Sequence, residues 1–392
     1  DSFAKDLVDE FIAVDTTRLD RVIDFPSRDM TITVEAGIRV AKLQEILRAE
    51  GQRLPIDVPR APEATLGGAI ATNTSGPRRY GFGTLRDYVI GISVVDAAGN
   101  ETKAGGRVVK NVAGYDLCKL YTGSLGTLGI ITQVTLKLKP LPEASAIAWI
   151  NLEQAEQAAA ALDRLAVSRT RPTAIELLNP LAAEYVIRQL STPYSVPSTQ
   201  QSGPSSLLPK AGTKYNLAAS PWVLVIGFEE NAEAVQWQPS ELEHEFDGLC
   251  SSSRVIVDPD AATIWSALVE FQAAELGLAT VKANFRSSAA VEFLHAAARQ
   301  PVAWSVQVHA GNGIAHAHAT LGSDQAAVQS SLAHLRERAV SLAGNLVVRR
   351  CPTEWKSEIP VWGEPRGDGW LMQALKRKLD PHNLLNPGRF VG

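Results

Sequence analysis

Two histidines seven residues apart, His309 and His316 in the stretch VHAGNGIAHAH (308–318), are the side chains whose type and spacing most directly suggest chemistry. A neutral imidazole can take the proton of a reacting hydroxyl or ligate a divalent ion. Most metal sites need three or four protein ligands, so two imidazoles alone make a poor one and no metal is expected. A general base is the chemical use that remains. The plain alternative is a pair of strand residues facing a domain interface. Upstream, Arg286 and Lys282 are candidate carboxylate anchors, because a guanidinium can hold a carboxylate through two parallel hydrogen bonds. A solvated helix cap for Arg286 and a surface strand for Lys282 are their plain readings.

The second feature with chemical content is backbone rather than side chain. Glycines crowd ATLGGAIATNTSGPRRYGFGTLRDYV (64–89) and VKNVAGYDLCKLYTGSLGTLGI (109–130). Without a Cβ, successive amides can approach a ligand and form an anion-binding concavity. Two such loops suggest a large phosphate-bearing cofactor. Gly123, Gly126 and Gly129 follow G-x-x-G-x-x-G, which is not the dinucleotide fingerprint G-x-G-x-x-G, and there is no G-x-x-x-x-G-K-[ST]. A nicotinamide site of the Rossmann kind and nucleoside triphosphate hydrolysis are therefore disfavoured. Cys118, Cys250 and Cys351 are odd in number and far apart. That excludes a disulfide framework, a C-x-x-C zinc site and a cysteine-ligated iron–sulfur cluster within this chain. A reducing cytoplasm fits, and any electrons handled here must leave to another carrier.

The elements that would position these residues fall into two groups, as expected for 392 residues, beyond the usual size of one hydrophobic core. TITVEAGI (31–38) reads as a strand leading into a helix with Val40, Leu43, Ile46 and Leu47 on one face before Gly51. VIGISVVDAAGNETKAGG reads as a hairpin turning at Gly99-Asn100. GIITQVTLKLKP alternates, with Ile130, Val134, Leu136 and Leu138 on one face, until Pro140 stops it. From about residue 141 Ala-rich helices alternate with short apolar strands, an α+β second domain. The polar stretch 191–214, rich in Ser, Pro, Gln and Thr, is expected to be a mobile surface insertion. A net charge of -4 gives no basic field for nucleic acid or an anionic membrane surface. No apolar run is long enough for a membrane span.

Taken together, ATLGGAIATNTSG, GFGTLRDYV, NVAGYDL, GSLGTLGIIT and the C-terminal DPHNLLNPGR closely resemble the vanillyl-alcohol oxidase / p-cresol methylhydroxylase (PCMH-type) flavoprotein superfamily. Within it the chain is most similar to the smaller FAD-binding subunits of bacterial glycolate oxidases. The resemblance is dense over 31–140, clear over 346–392 and only an outline between. It implies an α+β fold: an FAD-binding domain of two α+β subdomains (1–140), an α+β cap domain with an antiparallel sheet (141–345) and a C-terminal segment (346–392) returning to the FAD domain.

Carried over position by position, the resemblance implies that Thr65, Leu66, Gly67 and Gly68 line the pyrophosphate and flavin side of bound FAD. Thr74, Ser75, Gly76 and Arg86 would continue that wall. Gly123, Ser124, Gly126, Thr127 and Gly129 would approach the cofactor through backbone amides, and Asn386 and Gly388 would close the site. Catalytic relatives hold a divalent metal with H-x-G-D-G-N-x-H. Here Asn312 stands where the acid usually is, and RRCPTEWKSEIPVWG replaces the glutamate-bearing S-x-x-E-H-G segment. His309, His316 and Arg286 are then the catalytic candidates for oxidising a 2-hydroxy acid, with hydride passing to flavin. The implied partners are a larger FAD-binding subunit and an iron–sulfur subunit of a glycolate oxidase complex, which would place a cytoplasmic assembly against a membrane without this chain inserting. A non-catalytic scaffold subunit and a stand-alone alcohol or sugar oxidase are the alternatives. The chain lacks an initiating Met, and residues 1–30 lack the Gly-rich loop that family members carry there. The natural product is therefore expected to begin upstream, or this copy to be truncated.

Overall fold

The computed structural model describes residues 12–106, 115–191, 217, 221–320, 322, 324–363 and 367–389. The expected insertion at 191–214, the NVAG stretch at 111–114 and the first eleven residues lie outside that set, apart from the backbone of Ser191.

The N-terminal part is built on a five-stranded antiparallel sheet. Its strands are β1 (Val22–Asp24), β2 (Thr31–Glu35), β4 (Val89–Val95), β5 (Glu101–Gly105) and β6 (Ile130–Lys137), in the order β1-β2-β6-β4-β5. A short pair, β3 (Gln52–Arg53) with β7 (Lys139–Pro140), lies beside it. The helix Val40–Ala49 presents Val40, Leu43 and Leu47 to this core, as the spacing predicts. Gly99 has a positive φ, and the hairpin joins β4 to β5 where the Gly-Asn pair required it. On β6 the expected face is corrected in one respect. Ile131, not Ile130, is in the core, because the β4–β6 register slips between Ser93 and Val94, and a one-residue slip moves a side chain to the other face.

The second part is an eight-stranded antiparallel sheet. Its strands are β8 (Ala144–Leu152), β9 (Ala174–Leu178), β10 (Trp222–Glu230), β11 (Ser252–Val257), β12 (Thr280–Asn284), β13 (Trp304–His309), β14 (Ile314–Ala319) and β15 (Asn345–Arg350), ordered β11-β8-β10-β9-β13-β14-β12-β15. One face is apolar throughout and packs on the helices Ala155–Ala166, Ala290–Ala298 and Gln325–Ser341. The opposite face changes character across the sheet. At the β8 and β10 end Ile147, Trp149, Val223 and Val225 pack under the helices Pro180–Ser191 and Asp260–Glu270. At the β13, β14, β12 and β15 end the same face carries Gln307, His309, His316, His318, Lys282 and Arg349. The segment expected to leave at residue 346 first completes this sheet, because Leu346 and Val348 alternate into its core. The return begins with the helix Gly369–Leu379.

The two parts are riveted by charge. Arg78 holds Asp57 at 2.7 Å and Glu229 at 2.8 Å, Arg53 reaches the other Glu229 oxygen at 2.8 Å, and the Arg78 guanidinium lies 4.0 Å over the Trp265 ring. Burial alone would push Glu229 up, but Arg78 and Arg53 together hold its carboxyl below the usual range. Gln272 donates to the Ser75 carbonyl at 3.1 Å, and the Gly81 amide donates to Thr173 O at 3.0 Å. Among the described residues no helix is long and apolar enough to cross a membrane.

Candidate functional site

Thr65 caps the helix Leu66–Thr72, its hydroxyl accepting from the Gly68 amide at 3.2 Å. Asn73 ends that helix in a left-handed conformation. The second glycine loop lies directly against it: Gly123 N donates to Ile70 O at 2.9 Å and Leu125 N to Ala71 O at 2.7 Å. The C-terminal segment closes the seam, with Asn386 Nδ2 on Leu125 O at 2.8 Å and Lys376 Nζ on Thr127 O at 2.9 Å. Lys376 also holds Asp380 at 2.6 Å, and both side chains are almost wholly buried. The two loops separated by some fifty residues thus form one wall.

The individual residues divide. Gly67 and Gly68 do not offer free amides, since these donate to Ala36 O and Thr65 Oγ1. A Cβ on Gly67 would meet Ala36 at 3.0 Å, so this glycine allows the helix to approach β2. Leu66 is fully buried in the core, and Gly129 lies against Val94. Gly126 is different: its φ is +69, its amide has no partner among the described residues, and a Cβ there would stand 2.7 Å from Asn386 Nδ2. Thr127 is spent on Ser124 O. Ser75 accepts from Arg79 at 3.2 Å, and Gly76 packs on Asp57. Gly388 has a positive φ in the closing segment. Arg86 is exposed on the helix Leu85–Tyr88, and its field reaches Asp116.

The wall nevertheless fits FAD by what it leaves unsatisfied. The buried Ser124 Oγ and Asn73 Oδ1 have no hydrogen-bond partner among the described residues, and buried polar atoms are rarely left so. Beside them an open cleft of about 170 Å³ is lined by Val58, Pro59, Thr65, Gly68, Thr72 and Thr74. Hydroxyls and an unspent amide are the groups a pyrophosphate and a ribitol chain can satisfy.

The cap contributes the polar half-face of its sheet. Glu176 on β9 stands directly opposite His309 on β13, Gln307 opposite His316 on β14, and His316 opposite Lys282 on β12. Directly opposed Cβ atoms are about 5 Å apart, so these side chains form a row across four strands. Glu176 is fully buried and its oxygens lie 2.8 and 2.7 Å from His309 Nδ1. Gln307 donates to Glu176 at 2.7 Å and to Leu268 O at 3.1 Å. The His309 and His316 rings meet edge to face at 5.2 Å. Burial first, then the cations around it, holds His316 well below its ordinary value. Burial likewise pushes Lys282 down to about 8, helped by Arg349 and Arg79. His318, further along, is a structural residue, bridging Thr280 and the Phe271 carbonyl. The hairpin end of β13 and β14 sits under the N-terminal part: a Cβ on Gly311 would strike the Tyr80 ring at 2.2 Å.

The structure therefore brings His309 and His316 together but not Arg286, which is exposed at the cap of a short helix, its amide on Leu342 O. Among the described residues no group of three or more His, Cys, Asp or Glu side chains is gathered as for a metal ion. Glu176, Gln307, Arg79 and Asn73 were not singled out from the sequence. Glu176 had one signal, a lone carboxylate inside the apolar strand AIELL.

Residues 2–105 match the family described as FAD binding domain, and residues 141–349 and 367–390 match FAD linked oxidases, C-terminal domain. The chain is 26% identical over 382 residues to glycolate oxidase subunit GlcD of Bacillus subtilis (strain 168), spanning 95% of this chain and 77% of that protein. It is 39% identical over 125 residues to glycolate oxidase subunit GlcE of Escherichia coli (strain K12), 32% of this chain and 36% of that one. It is 37% identical over 168 residues to the mitochondrial D-lactate dehydrogenase (cytochrome) of Arabidopsis thaliana, 43% of this chain and 29% of that one. A solved alkyldihydroxyacetonephosphate synthase shares the fold, with a TM-score of 0.61 at 18% identity over 95% of this chain and 67% of that one. With the cap family alone matching more than half of its length, the chain belongs to the FAD-linked oxidases and is an FAD-dependent oxidoreductase of the PCMH type.

Proposed function

We propose that this chain is the FAD-binding subunit of a glycolate (2-hydroxy acid) dehydrogenase complex, passing electrons to an iron–sulfur partner. The observation that carries the reading is the row Glu176, His309, His316 and Lys282 on the half-face of the cap sheet that abuts the Tyr80 helix of the FAD domain. Gly126, Ser124, Asn73 and the Thr65–Thr74 cleft would hold the cofactor. Bound FAD supplies the acceptor for the hydride that leaves the substrate's α-carbon. Lys282 anchors the carboxylate as a point charge, and a histidine of the row removes the hydroxyl proton. The low-dielectric surroundings of the row strengthen both interactions. The relatives whose names specify glycolate, D-lactate and D-2-hydroxyglutarate support a small 2-hydroxy acid. An iron–sulfur subunit is the partner we propose for the electrons, which must leave to another carrier because no cysteines of this sequence are arranged for a cluster.

A second reading keeps the cofactor and drops the chemistry: a scaffold subunit of the same complex. It is favoured by Asn312, which stands between the two histidines and whose Oδ1 is buried without a partner among the described residues. Anaerobic addition of glycolate or D-lactate to the purified flavoprotein separates the two. Bleaching of the oxidised flavin band supports the catalytic reading, and a flavin that stays oxidised in both the isolated chain and the reconstituted complex overturns it.

A further inference from the structure

The two histidines of the row are not equivalent, and the difference lies in what holds each. His309 gives its Nδ1 to a carboxylate buried at 0% exposure, which is itself fixed by Gln307 and, through Gln307, by the Leu268 carbonyl. Its other nitrogen, Nε2, is buried and has no partner among the described residues. An imidazole whose Nδ1–H is taken by a carboxylate must present a lone pair at Nε2. His316 has no such carboxylate opposite it; it faces Gln307 on one strand and the Lys282 ammonium on the other.

Resting on the function proposed above, we infer that His309 is the general base and that Glu176 is its positioning residue, fixing the Nδ1–H tautomer and stabilising the imidazolium that forms. The substrate O–H bond breaks and its proton goes to His309 Nε2. The α-carbon C–H bond breaks, its electron pair would pass to the acceptor that bound FAD supplies, and the carbon–oxygen bond becomes a carbonyl. Two electrons leave the hydroxy acid and two enter the acceptor, so the step balances. Gln307 holds the carboxylate in place by donating to one of its oxygens at 2.7 Å. The cations around the row are Lys282, Arg349 and Arg79, while the Asp57 carboxylate also acts on Glu176. Burial, chiefly, pushes the Glu176 carboxyl up, while His309 and Gln307 pull it down; a protonated carboxyl donating to Nδ1 would reverse the tautomer, so the tautomer of His309 is what separates the two states.

The direct test is nitrogen NMR of the native flavoprotein labelled in histidine, with His309 assigned by its loss in His309→Gln. The expected result is a protonated, hydrogen-bonded Nδ1 and an unprotonated Nε2; a protonated Nε2 with a bare Nδ1 overturns the assignment. A second arm is kinetic. Glu176→Gln, which keeps shape and removes charge, is expected to slow flavin reduction at saturating substrate about 100-fold, with substrate affinity changed less than about threefold. The double variant with His309→Gln should be no slower than His309→Gln alone, because residues that act as a unit are not additive. Additive losses would mean that Glu176 acts elsewhere. If glycolate and D-lactate never reduce the wild-type flavin, the proposed function fails whatever the tautomer; a reversed tautomer in a protein whose flavin is bleached defeats only the dyad.

Discussion

Replacing Lys282 with Met should make the protein more stable and a worse binder of hydroxy acids, and the size of both effects follows from where the residue sits. Its ammonium is held among Arg349, Arg79 and the imidazole row, with no carboxylate partner among the described residues. Burial, chiefly, and the two guanidiniums lower its pKa from 10.5 to about 8. That lowering corresponds to about 3 kcal/mol of preference for the neutral amine in the folded state. Between pH 8 and 10.5 the unfolded chain keeps a proton that the folded protein has released, so stability rises with pH through that window. Below about 8 both states are protonated and the folded protein carries the whole penalty. Lys282→Met removes the penalty, and at pH 7 the unliganded flavoprotein should gain up to about 3 kcal/mol in urea unfolding. The gap should close as the pH approaches 10.5. The same substitution deletes a charge-assisted contact worth about 1.5–3 kcal/mol, so glycolate should bind roughly 10- to 100-fold more weakly. In the wild type, binding should weaken above pH 8 as the ammonium is lost. A variant no more stable than wild type at pH 7, or a stability gap indifferent to pH, would refute the reasoning.

Other substitutions probe the rest of the frame. Gly126→Ala forces a side chain into a left-handed position 2.7 Å from Asn386 Nδ2; with about 1–3 kcal/mol of strain, flavin retention on gel filtration should fall while the far-ultraviolet circular dichroism is unchanged. Arg78→Met leaves Asp57 buried without its cation and Glu229 with Arg53 alone, so denaturant melts should show a loss of about 3–5 kcal/mol. Because Glu229 is held below 4.5, the wild type should keep this contribution above that pH and lose it on further acidification, whereas in the variant, with Arg53 alone on Glu229, that step should be smaller. Lys376→Met breaks the buried Asp380 pair and frees the Thr127 and Leu385 carbonyls; proteolysis should then cut first in the C-terminal segment, with flavin lost before global unfolding.

Periodicity made much of this frame readable from the sequence. The helix after β2 and the β4–β5 hairpin are local patterns that packing did not override. The bulge between Ser93 and Val94 was not readable, because it is set by pairing between distant strands, and it exchanged Ile130 for Ile131 in the core. The glycine loops were legible as a wall but not in detail. Whether an amide faces a ligand or the protein depends on which carbonyl lies behind it, and Ala36 O and Ile70 O claim those of Gly67 and Gly123. The histidines were visible by their spacing. Glu176 lies 133 residues from His309, and only the sheet order places β9 beside β13. Arg286 and Lys282 illustrate the same limit. Four residues apart, they look equally fit to bind a carboxylate, yet the strand turns Lys282 into the row and the cap leaves Arg286 in solvent.

The central claim is that the glycine-loop wall and the polar half-face of the cap sheet are two sides of one site. A crystal structure of the FAD-loaded protein soaked with oxalate, which mimics the substrate and cannot be oxidised, tests it most directly. The flavin ring should lie between the Gly126 seam and the sheet, with oxalate against Lys282 and within hydrogen-bonding reach of His309 Nε2. A flavin seated with its ring away from β13 and β14, or oxalate bound elsewhere with the row untouched, would contradict it.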